Sequence, residues 1–130
     1  MEERVWDLID KTRPWTVNAE RTWHHMKRAK LVKDCRERFR IYALEAQIPK
    51  LHHIAIEVWP LSPHRKWRPD VGACFPSVKS AIDGIVDAGI IPNDTDEFLG
   101  WVRFYPLLKW PHEGLLVRIR EEQRWNHPHP

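Results

Sequence analysis

Hydrophobic residues recur at helical spacing in two parts of the chain. Residues 19–46 contain neither Pro nor Gly, and their apolar side chains predict one long helix with a single buried stripe of Trp23, Met26, Cys35, Phe39, Tyr42 and Ala46. Asn18 is the predicted N-cap, and the helix is expected to end before Pro49. A second stripe predicts a helix over residues 76–88, with Pro76 in its first turn and Gly89 at its C′ position.

Alternating hydrophobicity predicts the strands. Ile54, Ile56 and Val58 alternate with Ala55, Glu57 and Trp59, and two more strands are expected near residues 99–105 and 115–120. Residues 5–9 suggest an edge strand. The order β-α-β-α-β-β predicts an α/β protein of the two-layer α+β type, in which two main helices pack on a mixed sheet. We expect one domain over residues 1–120 and a flexible tail over 121–130.

Composition agrees with a globular protein. Hydrophobic residues make up 42% of the chain and charged residues 30%, and no apolar run approaches the roughly 18 residues of a membrane helix. The first residues lack a secretory signal pattern, so we expect a cytoplasmic protein of a bacterial or phage-infected cell. Cys35 and Cys74 form no CxxC motif and are expected to be small core residues.

Charge is unevenly distributed along the chain. The formal net charge is only +3, but basic residues far outnumber acids between residues 21 and 40, whereas the acids lie mostly downstream. A basic segment beside an acidic cluster suits a nucleic-acid enzyme that uses metal ions.

The acidic cluster surrounds the second predicted helix. That helix is about 20 Å long, and five or six extended residues span about the same distance, so flanking Asp70 and Asp94 can meet. Lys79 and Asp83 are four residues apart on the exposed helical face, and Asp87 continues that row. Converging carboxylates favour Mg²⁺ or Mn²⁺, and a nearby lysine could stabilise phosphoryl charge. A solvated Lys79–Asp83 pair with Asp94 as an ordinary turn residue explains the spacing equally simply.

A family resemblance bears on this choice. The segment DVGACFPSVKSAIDGIVDAGIIPNDTDE, from Asp70 to Glu97, resembles the RusA-type Holliday junction resolvases, particularly their small phage-borne members. That family has a D-x-D-N motif, a helix with a lysine and an aspartate four residues apart, a DG(L/I)…AG segment and a D-D turn. Upstream, RPWTVNAERTWHHMKRAKLVKDCR is similar to the family's N-terminal Pro…Asn segment and first helix, so the resemblance covers roughly residues 13–105.

The resemblance implies a site. Asp70 matches the first aspartate of D-x-D-N, and Lys79 and Asp83 match the helical pair. Asp94 matches the second aspartate of the D-D turn, where Asn93 replaces the first. The implied protein is a homodimeric, Mg²⁺-dependent endonuclease that nicks opposed strands of four-way DNA junctions, with Mn²⁺ able to substitute and no membrane or small-molecule cofactor involved. Asp70 and Asp94 would be metal ligands, and Lys79 and Asp83 would act with them in catalysis.

Two positions depart from the family pattern. Gly72 and Ala73 stand where the family has its second aspartate and its asparagine, so one expected ligand is missing. Glu57, Asp83 and Asp96 are candidates to compensate for it. Two alternatives to an active nuclease follow, namely a catalytically weakened branched-DNA-binding protein and a non-enzymatic interaction domain with a solvated acidic face.

Basic and aromatic residues provide candidate DNA contacts. The predicted phosphate-binding residues are Arg65, Lys66 and Arg68, which lead into Asp70, and Arg28, Arg36 and Arg40 on the first helix. Trp15 and Trp67 lie in basic, loop-like contexts and are candidates to stack on exposed bases, although a structural role is the simpler interpretation. Trp23 and Trp101 are expected in the core.

Overall fold

A computed structural model describes residues 3–122. Its helices are α1 (Val17–Glu20), α2 (His25–Glu45) and α3 (Phe75–Asp87), and its strands are β1 (Val5–Asp10), β2 (Ile54–Ser62), β3 (Leu99–Phe104), β4 (Leu108–Lys109) and β5 (Gly114–Glu121). This is a mixed sheet with helices packed on it in a single α+β domain, so the predicted fold class is confirmed. Within residues 3–122, no helix is long and apolar enough to cross a membrane.

The sheet has the order β1-β5-β2-β3, with β4 added beside the end of β2. β5 pairs antiparallel with both β1 and β2, whereas β3 and β4 pair parallel with β2. The predicted edge strand is therefore confirmed as β1. The parallel β2–β3 pair requires a crossover, which α3 supplies, and the chain enters and leaves α3 beside the ends of these strands.

One face of the sheet forms the core with the helices. Alternate residues of β2 and β5 pack against Phe39 of α2 and against the apolar side of α3, and the cluster includes Ile54, Ile56, Val58, Leu115, Val117, Ile119, Val78, Ile82 and Ile85. Gly84 allows α3 to approach α2 closely, because a Cβ at this position would collide with the backbone oxygen of Arg36. The close approach fixes the orientation of α3, which carries Lys79 and Asp83.

The opposite face of the sheet carries cross-strand polar and aromatic contacts. Arg118 forms a two-point pair with Asp7, and Trp59 stacks on Tyr105 with ring centroids 4.4 Å apart. These contacts join β1, β5, β2 and the residue that follows β3. The sheet is therefore stabilised on this face by paired charges and stacked rings.

The prediction of one helix over residues 19–46 is wrong. The chain forms α1, breaks at residues 21–24 and restarts as α2, and the predicted cap Asn18 lies inside α1. Each helix has its own cap, since the Thr16 side chain accepts from the amide of Ala19 and His24 Nδ1 accepts from the amide of Met26. The cap at His24 satisfies the amide of Met26, which a continuous helix would have bonded along its axis.

Two further details differ from prediction. Met26, expected in the buried stripe, is 68% exposed, because it follows the helix break and lies on the first turn of α2. β5 includes Glu121, whose amide donates to the carbonyl of Arg4, so the expected tail does not begin at residue 121. Residues 123–130 of that tail lie outside the described part of the chain.

Candidate functional site

Helix α3 has an apolar side and a charged side, as the sequence predicts. Val78 and Ile82 are buried, whereas Lys79 is exposed and Asp83 is half-buried. Pro76 lies in the first turn, and Gly89 adopts φ +85° just after the C-cap, which ends the helix. Burial of the apolar side therefore holds Lys79 and Asp83 at the surface on one face.

Lys79 joins two carboxylates from different segments. Its Nζ donates to Asp83 Oδ1 at 2.9 Å along the helix and to Asp94 Oδ2 at 2.5 Å in the loop that follows. The hydrogen bond with Asp94 raises the pKa of Lys79, and the same bond lowers the pKa of Asp94. Lys79 is therefore a fixed ammonium at neutral pH and cannot serve as a general base.

The loop that carries Asp94 is anchored on both sides. Ile90 and Ile91 are fully buried, and the Ile90 carbonyl accepts from the amide of Leu51. Asn93 Oδ1 accepts from the amide of Thr95, which forms the tight turn containing Asp94. The turn places the Asp94 carboxylate over Lys79.

Asp70 lies in a separate turn before α3. Its carbonyl accepts from the amide of Ala73, its side chain is exposed, and Gly72 in the same turn has φ +86°. Asp70 lines a small cavity with Phe104 and Tyr105. The Lys79 contacts described above involve Asp83 and Asp94 but not Asp70, so the structure brings together three of the four predicted catalytic residues.

The donor set can be compared with the needs of Mg²⁺. Among residues 3–122, no three or more His, Cys, Asp or Glu side chains are grouped so that they could hold a metal ion. Two carboxylate oxygens nevertheless lie within 3 Å of the same Lys79 nitrogen. Mg²⁺ in phosphoryl-transfer sites is commonly held by one or two carboxylates, with water and substrate phosphates completing its shell. Asp83 and Asp94 fit an open site of this kind and do not fit a closed, all-protein one.

The candidate compensating ligands have different surroundings. Glu57 is buried on the opposite face of the sheet, where it pairs with Arg120 and accepts from the hydroxyl of Tyr105 at 2.5 Å. Burial disfavours its charge, yet these hydrogen bonds lower the pKa of Glu57. Asp96 is exposed in the loop after Asp94. Of these three residues, Asp83 is the one that contacts the same ammonium group as Asp94, namely that of Lys79.

The predicted phosphate-binding arginines of the first helix have intramolecular partners. Arg36 forms a two-point pair with Asp87, at 2.5 and 2.8 Å, and Arg40 forms another with Glu37. Arg28 lies 3.8 Å from Glu20. A phosphate would have to compete with these carboxylates.

The basic loop before Asp70 differs in this respect. Arg65, Lys66 and Arg68 are exposed, and none has a carboxylate within 4.0 Å in the described part of the chain. Arg68 Nε donates to the carbonyl of Arg65, which orders the loop. Of the two predicted groups, this loop has its positive charge available for a phosphate.

The structure also places the tryptophans. Trp15, a candidate for base stacking, is 9% exposed and belongs to the core, because Ser77 bonds both its backbone amide and its carbonyl. The structure therefore supports the structural role of Trp15, which was the simpler interpretation. Trp67 is half-buried under the Arg13 guanidinium, which lies 4.1 Å from the ring centroid. Trp23 and Trp101 are half-buried, so their expected place in the core is only partly correct.

Sequence reasoning missed one basic residue. Lys109 lies in β4, in the connection between the two strands predicted near residues 99–105 and 115–120. It lines a cavity of about 360 Å³ together with Arg65 and Arg68. A strand of two residues leaves no periodic pattern, so the sequence contains no local signal for it.

Comparison with known proteins adds no relative. No protein-family model matches the chain, and no significant match was found among curated proteins.

Proposed function

We propose that this protein is a Mg²⁺-dependent endodeoxyribonuclease that hydrolyses phosphodiester bonds in branched DNA. The observation that carries the proposal is the contact of one lysine nitrogen with two carboxylates from different segments, Asp83 on α3 and Asp94 in the following loop. A solvated helical pair would need only Asp83. Recruitment of Asp94 by an anchored turn makes a small charged centre of the type that phosphoryl transfer requires.

Each residue has a role in the proposed reaction. Asp94 and Asp83 would hold Mg²⁺, which supplies an activated water and neutralises phosphate charge. Lys79 would remain protonated and donate to a phosphate oxygen as charge builds on it. Water would add to phosphorus as the bond to the leaving oxygen breaks, with the proton of the water passing to solvent and the leaving oxygen taking a proton from solvent. Asp70, in the turn before α3 and beside the basic loop, would orient the attacking water. The protein would act as a homodimer, as the resemblance to RusA-type resolvases implies.

A second candidate function has its own supporting observation. Gly72 and Ala73 lack donor side chains at the turn where the resembling family has its second aspartate and its asparagine. In addition, Lys79 already provides a cationic partner for Asp83 and Asp94. A branched-DNA-binding protein with weakened or lost cleavage would keep the basic loop and tolerate these features.

Cleavage of a synthetic four-way junction separates these functions. If the protein is a nuclease, nicks in opposed strands are expected with Mg²⁺ and none with EDTA. Asp94→Asn should abolish nicking and retain junction binding, whereas Asp34→Asn, which alters a similar helical pair with Lys30 on α2, should leave both unchanged. Junction binding without nicking, in Mg²⁺ or Mn²⁺, would support the binding protein instead. Equal affinity for junction and linear duplex would refute both.

A further inference from the structure

A cavity of about 360 Å³ lies at the end of β2. It is lined by three cationic side chains and by mainly apolar ones, namely Arg65, Arg68, Lys109, Ser62, Pro69, Pro106 and Leu107. Its volume falls within the roughly 300–1,000 Å³ of typical small-molecule sites. Among residues 3–122, no acidic residue lines it, so its charged lining residues are all cationic.

Strand β4 contributes the third cation to this cavity. Leu108 and Lys109 pair in parallel with Leu61 and Ser62, and the amide of Trp110 donates to the Ser62 carbonyl at 3.1 Å. Backbone pairing therefore fixes Lys109 beside the end of β2, opposite the loop that carries Arg65 and Arg68. A flexible surface lysine would have no such constraint.

These cations also lack internal neutralisation. Throughout residues 3–122, no carboxylate lies within 4.0 Å of Arg65, Arg68 or Lys109. Among residues 3–122, most other arginines have an acidic partner, as Arg36 has in Asp87 and Arg118 has in Asp7. Like charges held together without a counterion favour an external anion.

The cavity adjoins the turn that contains Asp70. Pro69 and Pro106 line it, while their chain neighbours Asp70 and Tyr105 line the small cavity next to it. Consecutive Cα atoms are about 3.8 Å apart, so the two cavities border the same two chain segments. An anion in the cationic cavity would lie beside the turn that carries Asp70, which the proposed reaction uses to orient the attacking water.

We propose that this cavity binds the phosphate of a nucleotide, with the cations on the phosphate and with Pro69, Pro106 and Leu107 against the sugar or base. The preferred source is a backbone phosphate of the bound DNA strand, next to the phosphate at which that strand is cut. This identification rests on the proposed function. A free mononucleotide or inorganic phosphate presents the same chemistry. The experiment distinguishes these sources.

Charge reversal at the strand residue provides the test. Lys109→Glu is compared with Lys50→Glu, which changes the net charge equally at an exposed site near the opposite end of β2. Arg65→Glu is the second variant, in case Lys109→Glu disturbs β4. Binding of a labelled four-way junction, of dTMP and of inorganic phosphate is measured in EDTA, so that cleavage does not affect the result.

Lys109→Glu and Arg65→Glu should each lose about tenfold or more in junction affinity, and the loss should be the same for junctions of different sequence. The salt dependence of binding should fall by an amount that corresponds to about one phosphate contact. Lys50→Glu should bind like the wild type. Unchanged junction affinity with loss of dTMP or phosphate binding would support the cavity with a free ligand instead. If Lys109→Glu, Arg65→Glu and Lys50→Glu bind all three probes alike, the cavity proposal is overturned. Junction nicking with Mg²⁺ is measured separately, so the proposed function can survive that result.

Discussion

Substitution of Lys79 by Met separates a functional ion pair from a structural one. The Lys79 side chain is 47% exposed, and its partners Asp83 and Asp94 are 28% and 34% exposed. Exposed pairs of this kind contribute about 0.2–1 kcal/mol each, because water screens them and side-chain entropy opposes them. Lys79→Met should therefore lower the free energy of unfolding by about 1 kcal/mol, measured by urea denaturation.

The expected effect on cleavage is much larger. Loss of a fixed donor to transition-state charge commonly reduces kcat by about 10²–10³-fold. Lys79→Met should show a loss of this size in Mg²⁺-dependent junction nicking, while junction affinity stays near that of the wild type. The matched control is Lys30→Met, which removes a 3.0 Å pair with Asp34 at the same i,i+4 spacing on α2. Its stability loss should be smaller, because it removes one exposed pair instead of two, and its nicking rate should not change.

The pH dependence of the same variant follows from the pKa shifts. Lys79 lowers the pKa of Asp94, so this contribution to stability is present above the unfolded-state value of about 3.9 and is lost as pH falls through the lower folded-state pKa. The Lys79 pKa is raised, so at the alkaline end the contribution is lost as pH rises through a value above about 10.4. The stability difference between wild type and Lys79→Met should be constant between these limits and vanish in acid. Wild-type nicking by Lys79→Met would refute the proposed role of Lys79.

Two other substitutions test the surroundings of the site. Gly84→Ala should lower the free energy of unfolding by about 1–3 kcal/mol in urea denaturation, because the added Cβ would collide with the backbone of α2. This cost exceeds the helix-propensity gain of about 0.5–1 kcal/mol. A more stable variant would contradict the close helix contact. Gly72→Asp has open space but a φ of +86°, so it should cost about 1–2 kcal/mol, as should Gly72→Ala. If the missing ligand limits catalysis, Gly72→Asp should nick junctions at least as fast as the wild type and faster than Gly72→Ala. Slower nicking by Gly72→Asp than by Gly72→Ala would show that a carboxylate at this position is harmful.

The sequence predicted α3 more reliably than it predicted α1 and α2. The stripe of α3 is regular, Pro76 and Gly89 mark its two ends, and the structure confirms each of these features. The break before α2 coincides with a local cap at His24, and Trp15, just before α1, is held by Ser77 from a distant helix. A local pattern contains no information about that long-range contact, so the uninterrupted polar helix was the natural prediction.

The candidate site was also only partly predictable. The spacing of Lys79 and Asp83 follows directly from helical geometry, and Asp94 was within reach of the helix by chain length alone. The direction of the loops was not predictable. The turn at Gly72 leaves Asp70 exposed at a small cavity that Tyr105 also lines, and the buried Ile90 and Ile91 anchor the loop in which Asp94 contacts Lys79. Chain reach therefore permitted Asp70 to join Asp94, whereas the Lys79 contacts that hold Asp94 do not include Asp70.

The position of Lys79 constrains how the proposed enzyme can work. An ammonium and a metal ion would both draw on the carboxylates of Asp83 and Asp94, so they compete for them in the absence of substrate. A substrate phosphate changes this balance, because it brings further negative charge and a new acceptor for Lys79. Metal affinity should thus depend on bound DNA, and Lys79 would move from the carboxylates to the phosphate when both arrive. This coupling gives a reason for a lysine between two acids that a surface ion pair does not require.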